Sequence, residues 1–116
     1  MSKDKESDID ILRHILKYID EIDEAIKHFG KSYETFKKSS IFHNAVSMEI
    51  QQIGELSKNL SEEIKASHTN IPWSVIRGMR NLFAHNYHRM DLKQIWDTAV
   101  DDIPVLRKFC EDIVNQ

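Results

Sequence analysis

A chain of 116 residues with 16 Lys and Arg, 19 Asp and Glu and a formal net charge of −3 has the length of one domain, residues 1–116, and can bury roughly two-thirds of the surface its unfolded form exposes. Its composition, 41% hydrophobic and 30% charged with three Gly and two Pro, excludes a disordered or membrane-embedded protein, and the lone Cys110 excludes an internal disulfide and lacks the spacing of a zinc or redox pair. No apolar run approaches the roughly 18 residues that span a bilayer, and the opening MSKDKESD is polar where a signal peptide is basic and then apolar, so a cytoplasmic protein without membrane contact is expected.

In chain order, Ser7 and Asp10 resemble a capping box and open a first helix whose apolar positions are Ile9, Leu12, Leu16, Ile19, Ile22, Ile26 and Phe29. Between them lie charged residues, among them the i,i+4 pair Asp23 and Lys27, which mark the solvated face. Gly30 ends this helix of about 23 residues through a left-handed conformation. A polar connector follows from Lys31 to Ser40. A second helix is predicted through Phe42, Val46, Glu49, Ile53, Leu56, Leu60 and Ile64, with the Glu49 carboxylate inside its apolar stripe and Gly54 beside Glu55.

After a polar loop from Ser67 to Asn70, Pro72 suits the first turn of a short third helix carrying Trp73, Ile76, Met79, Leu82 and Phe83 and ending near His85. Asn86 to Met90 reads as a turn. Asp91 then caps a fourth helix through Trp96, Ile103, Leu106, Phe109 and Ile113, kinked or split near Pro104 because proline lacks the amide proton and clashes with the preceding turn. With no segment of strand period, the fold class is all-α, an antiparallel four-helix bundle.

The overall acidity argues against a broad, non-specific nucleic-acid surface. The stretch from Trp73 to Lys93 is the exception, with Arg77, Arg80, Arg89 and Lys93 against one acid, Asp91. Within it, Arg80 and His85 are five residues apart, about 140° on an ideal helix, so they converge only if His85 lies at or just beyond the helix end. A guanidinium stabilises the charge of a phosphoryl transition state, and an imidazole with a reference pKa of about 6.5 moves protons near neutral pH. Asn81 is placed to orient the imidazole. No Walker-type glycine loop, Ser-His-Asp arrangement or pair of carboxylates competes with this candidate. His85, His88 and Asp91 share a metal-like spacing, but the intervening turn breaks any common face, and no metal is expected. His14, His28, His43 and His68 are read as surface residues, and Cys110 as a buried small hydrophobe.

The stretch RNLFAHNYHRMD, Arg80 to Asp91, resembles the Arg-Asn, three residues, His, one residue, Tyr signature of HEPN domains, and in particular of the HepT-like ribonuclease toxins. AVSMEIQQIGELSKNLS (Ala45 to Ser61) is similar to that family's second helix with its Ile-Gly-Glu centre. IPW (Ile71 to Trp73) and DLKQIWDTAVDDIP (Asp91 to Pro104) are similar to its third-helix opening and its fourth helix. The first helix matches in character only.

The resemblance implies a HEPN-type bundle acting as a metal-independent endoribonuclease without a cofactor, the toxin of a type VII-like toxin–antitoxin pair. It implies a homodimer or higher even oligomer in which the Arg80 and His85 motifs of two subunits face each other across a cleft that takes RNA. It also implies a partner, a minimal nucleotidyltransferase antitoxin that attaches AMP to Tyr87. Arg77 and Arg89 are candidate phosphate contacts and Glu55 a candidate structural support of the site. Two other readings stay open: a non-catalytic module that docks a nucleotidyltransferase through Arg80 and Tyr87, and a purely structural dimerisation bundle.

Overall fold

The computed structural model describes residues 3–79 and 91–116, and its elements are α1 (Lys3–Phe29), α2 (Tyr33–Lys38), α3 (Ser40–Ser57), α4 (Glu62–Ser67), α5 (Trp73–Met79), α6 (Leu92–Asp97), a π-helical turn (Thr98–Asp102) and α7 (Ile103–Val114). Side-chain contacts fix their directions. The start of α1 meets the end of α3, where the Asp8 carboxylate accepts hydrogen bonds from Ser61, and the end of α1 meets the start of α3, where Phe29 stacks on Phe42 at 4.8 Å. Trp96 on α6 lies 6.0 Å from Phe42, whereas Phe109 on α7 lies 4.7 Å from His68 at the other end and 5.4 Å from Trp73, which opens α5. The helices α1, α3, α5 and α6–α7 therefore run alternately up and down, which is the antiparallel four-helix arrangement expected from the hydrophobic periods. No helix among the described residues is long and apolar enough to cross a membrane.

The core is aliphatic along α1 and α3 and aromatic at one end. Leu12, Ile15, Ile19 and Ile22 on α1 face Val46, Ile50 and Ile53 on α3, all fully buried, and each side chain contributes about 1.5–3 kcal/mol on removal from water. Phe36, Phe42 and Trp96 close the end where α2, α3 and α6 meet, with ring centroids 5.0 to 6.0 Å apart.

Three local boundaries differ from the sequence reading, each for a physical reason, and a fourth takes the expected place in an unexpected form. The first helix begins at Lys3, not at Ser7, and its inward face follows Asp8, Leu12, Ile15, Ile19 and Ile22, so Asp8 occupies a core-facing position and leaves the expected capping box inside the helix. The polar connector contains α2, because the Ser32 hydroxyl accepts from the Thr35 amide at 3.3 Å and Phe36 gains a buried site against Phe42 and Trp96. The second helix stops at Ser57; Leu60 turns inward and Ser61 caps the separate helix α4 by accepting from the Ile64 amide at 3.2 Å. The α6–α7 helix is interrupted as expected near Pro104, and the interruption takes the form of a π turn over Thr98–Asp102. Proline offers no N–H to a carbonyl one turn back, and the wider turn accommodates the ring while Ala99, Ile103 and Leu106 stay buried.

The expected punctuation is otherwise present. Gly30 adopts φ 105° at the end of α1, a conformation that side-chain-bearing residues rarely adopt, and the Asp91 carboxylate accepts from the Gln94 amide at 3.1 Å to cap α6.

Candidate functional site

The helix that leads into the Arg80 to Tyr87 signature is held firmly at its start. The Pro72 carbonyl accepts the Ile76 amide at 3.0 Å, Trp73 packs edge-on to Phe109 while its indole N–H donates to the His68 carbonyl at 3.0 Å, and Ile76 is fully buried. With Trp73 and Ile76 fixed, the rotation of α5 is set, and Ser74, Val75, Arg77 and Gly78 lie on its exposed side. Among the residues singled out from sequence, Arg77 and Glu55 are described. Arg80, Asn81, His85, Tyr87 and Arg89, together with His88, lie outside the described residues.

Arg77 is exposed and meets no carboxylate among the described residues. Lys93, the other described cation of the basic stretch, is engaged: its ammonium lies 3.0 Å from Asp97 and 5.0 Å from the Tyr33 ring centroid. Glu55 lies on the exposed side of α3 and meets Lys58, one turn on, at 4.0 Å.

Between α5, α6 and α3 lies a half-open groove of about 260 Å³, lined by Ile50, Ser74, Val75, Gly78, Gln94, Ile95 and Thr98. Ile50, Ile95 and Thr98 form its buried floor, and Ser74, Val75, Gly78 and Gln94 its exposed rim. The sequence reading missed this feature, because its members are ordinary residues on two helices and share no local motif.

Three titratable positions have roles that the sequence only hinted at. Glu49, the acid inside the α3 stripe, meets Glu21 of α1, and its Oε2 is buried without a hydrogen-bond partner among the described residues. Burial, the hydrogen bond with Glu21 and the negative charge of Glu21 push its carboxyl up to about 8 from the ordinary 4.5, so the Glu21–Glu49 pair holds one proton between them near neutral pH. His43 and His68 are half-buried, not surface residues: His43 Nδ1–H donates to the Phe36 carbonyl and His68 Nδ1–H to the Ile64 carbonyl, each at 3.0 Å, since a carbonyl only accepts. His14 and His28 are exposed as expected. Cys110 is fully buried, and desolvation pushes its thiol up to about 12, which keeps it an unreactive core group.

Comparison with known proteins places this architecture. A family described as Ribonuclease HepT-like matches residues 15–113. A protein of Caldanaerobacter subterraneus subsp. tengcongensis, designated a presumptive RNase, is 34% identical over 105 residues, covering 90% of this chain and 92% of the relative. A Methanocaldococcus jannaschii protein of the same designation is 32% identical over 104 residues, covering 90% and 84%. A Thermococcus cleftensis protein named a probable ribonuclease HepT is 33% identical over 103 residues, covering 89% and 92%. No solved structure matches significantly. The matched span runs from the middle of α1 to the end of α7 and includes the whole Arg80 to Tyr87 signature, so this chain belongs to the HepT-like ribonuclease family.

Proposed function

We propose that the chain is a metal-independent endoribonuclease of a toxin–antitoxin pair, acting as a homodimer and silenced by AMP attached to Tyr87. The observation that carries this reading is the coincidence of family membership with an unbroken Arg80, Asn81, His85, Tyr87 signature that begins three residues after the exposed Arg77 on α5.

The chemistry follows from the residue types. His85 takes the proton from a ribose 2′-hydroxyl; the 2′-oxygen bonds to the adjacent phosphorus; the bond from phosphorus to the 5′-oxygen breaks; and that oxygen leaves with a proton. Arg80 offsets the extra negative charge on the five-coordinate phosphorus, and Asn81 holds the imidazole in place. The products are a 2′,3′-cyclic phosphate and a 5′-hydroxyl, with no metal or redox step. Because each chain supplies a single signature histidine, a base and an acid are both available when the His85 residues of two subunits face one cleft. Arg77 and Arg89 add phosphate attraction.

A minimal nucleotidyltransferase that transfers AMP to the Tyr87 hydroxyl would place a phosphate beside Arg80 and an adenosine in the path of RNA, which switches the site off by charge pairing and by volume. The experiment is cleavage of a single-stranded RNA by purified protein in the presence of a chelator. Wild type is expected to cut and leave cyclic phosphate ends, Arg80→Ala and His85→Ala to lose at least a hundredfold in rate, and coexpression with a minimal nucleotidyltransferase of the antitoxin kind to add the mass of AMP to Tyr87. Absence of cleavage, with both variants indistinguishable from wild type, would leave a docking module in its place.

A further inference from the structure

Resting on the ribonuclease reading, we propose that the groove between α5 and α6 is a nucleobase subsite that holds one base of the RNA strand, with adenine the best match. One wall is Ser74, Val75 and Gly78 on α5, the other Gln94 and Ile95 on α6 with Thr98 at the start of the π turn, and Ile50 of α3 closes the bottom. At about 260 Å³ it falls just short of the roughly 300 Å³ at which pockets for drug-sized ligands begin, so it admits one ring system and not a folded ligand.

The lining has the two properties that a base requires. Ile50, Ile95 and Val75 supply apolar surface for the ring, and Ser74 and Gln94 stand at the exposed rim with groups that both donate and accept. Single-stranded RNA is read in this way, by bases splayed into pockets and hydrogen-bonded at their edges. The side-chain amide of Gln94 offers one donor and one acceptor side by side, which match the N6–H donor and N7 acceptor of adenine and not the two acceptors of the corresponding guanine edge, while the apolar floor gives the larger purine ring more contact than a pyrimidine.

Gly78 sharpens the assignment. It lies within α5 without a left-handed φ, and among the described residues a Cβ built on it would meet nothing within 4 Å, so neither backbone conformation nor packing against the described residues calls for glycine there. An alanine would favour the helix by about 1 kcal/mol. The bare backbone instead keeps the groove wall open. Arg77 is the preceding residue, about 100° round the helix, and presents an exposed cation to the phosphate of the same nucleotide.

Binding of uncleavable 2′-O-methyl oligonucleotides tests this, with fluorescence anisotropy comparing an adenine-containing strand with its uridine counterpart. Wild type is expected to prefer the adenine strand by about tenfold. Gly78→Phe, which fills open space, and Gln94→Ala are expected to abolish the preference while melting temperature and oligomeric state stay at wild-type values. Equal affinity of wild type for both strands, or full preference in both variants, overturns the subsite. A change of oligomeric state in Gly78→Phe also overturns it, by assigning the groove to contact between subunits. Cleavage without base preference rejects the subsite and leaves the nuclease reading intact; adenine-preferring binding without cleavage does the reverse.

Discussion

Asp8 on α1 and Ser61 at the head of α4, 53 residues apart in sequence, are joined twice: the Ser61 amide donates to Asp8 Oδ1 at 2.9 Å and the Ser61 hydroxyl to Oδ2 at 2.6 Å. The same hydroxyl accepts from the Ile64 amide at 3.2 Å, so one serine caps α4 and anchors α1 at once. Asp8 is 6% exposed, and without Ser61 it would be a buried charge lacking its partners. Asp8→Ala is expected to cost about 2 kcal/mol in urea unfolding of the full chain, and Ser61→Ala about the same. In a double-mutant cycle the two losses should overlap by at least about 1 kcal/mol; additive losses would show that the two groups act separately.

That contact also marks what the sequence could and could not convey. The periods of three and four residues located the long helices, Asp91 announced its cap and Pro104 its interruption, because these are local rules of helix geometry and backbone chemistry. The acid at position 8 falls in register with Leu12, Ile15 and Ile19, a legible irregularity, but the serine that satisfies it lies on a distant element and is found only by folding the chain. For the same reason Phe36 looked like one apolar residue in a polar connector until Phe42 and Trp96 came to meet it. The candidate site divides likewise. Its signature is a compact string in the sequence, whereas the groove of Ser74, Gly78 and Gln94 is assembled from two helices and has no linear trace.

Glu49 makes stability depend on pH in a direction opposite to that of most carboxylates. Its carboxyl is raised in the fold, so between the ordinary 4.5 and about 8 the folded chain holds a proton that the unfolded chain has released. The unfolded chain binds fewer protons there, and this group's contribution therefore declines as pH rises through that window. Glu49→Gln keeps the shape and removes the charge. Melting curves at pH 4, 6 and 8.5 should show little difference from wild type at pH 4 and a growing advantage for the variant above it. After allowance for partial solvent screening the advantage is of the order of 1 kcal/mol. A constant offset at all three pH values would place the effect in packing instead.

Arg107 ties α7 to α1. Its guanidinium Nη2 donates to Asp20 at 2.9 Å and to Asp23, while Nη1 meets Glu111 of its own helix at 3.4 Å. The arginine is 27% exposed but both α1 acids are mainly in solvent, so the network's contribution is modest and screened by salt. Arg107→Ala is expected to lower stability by about 1 kcal/mol at low ionic strength, and the deficit to shrink in about 1 M salt, where the Debye length is about 3 Å. Arg107→Lys should recover part of the loss, since an ammonium can meet the α1 acids but lacks the second nitrogen that engages Glu111 at the same time. A deficit unchanged by salt would assign the loss to the packed stem of the side chain.

Phe36 decides whether α2 is a decoration or a part of the core. It is fully buried, 5.1 Å from the Phe42 ring and 5.0 Å from the Trp96 ring, and the carbonyl of the same residue accepts from His43. A helix of six residues is too short to hold itself together in water, so its ring and the Ser32 cap are what keep it in place. Phe36→Ala removes both ring contacts and opens a cavity at the end of the bundle where α2, α3 and α6 meet; the expected cost is about 3–5 kcal/mol, against about 1 kcal/mol for Ser32→Ala. Trp96 reports the change directly, because its ring loses the neighbour that shields it, and its fluorescence in the folded variant should shift toward that of a wetter indole. If Phe36→Ala unfolds with wild-type stability and an unchanged Trp96 signal, the connector contributes nothing to the core and the aromatic cluster is held by Phe29 and Phe42 alone.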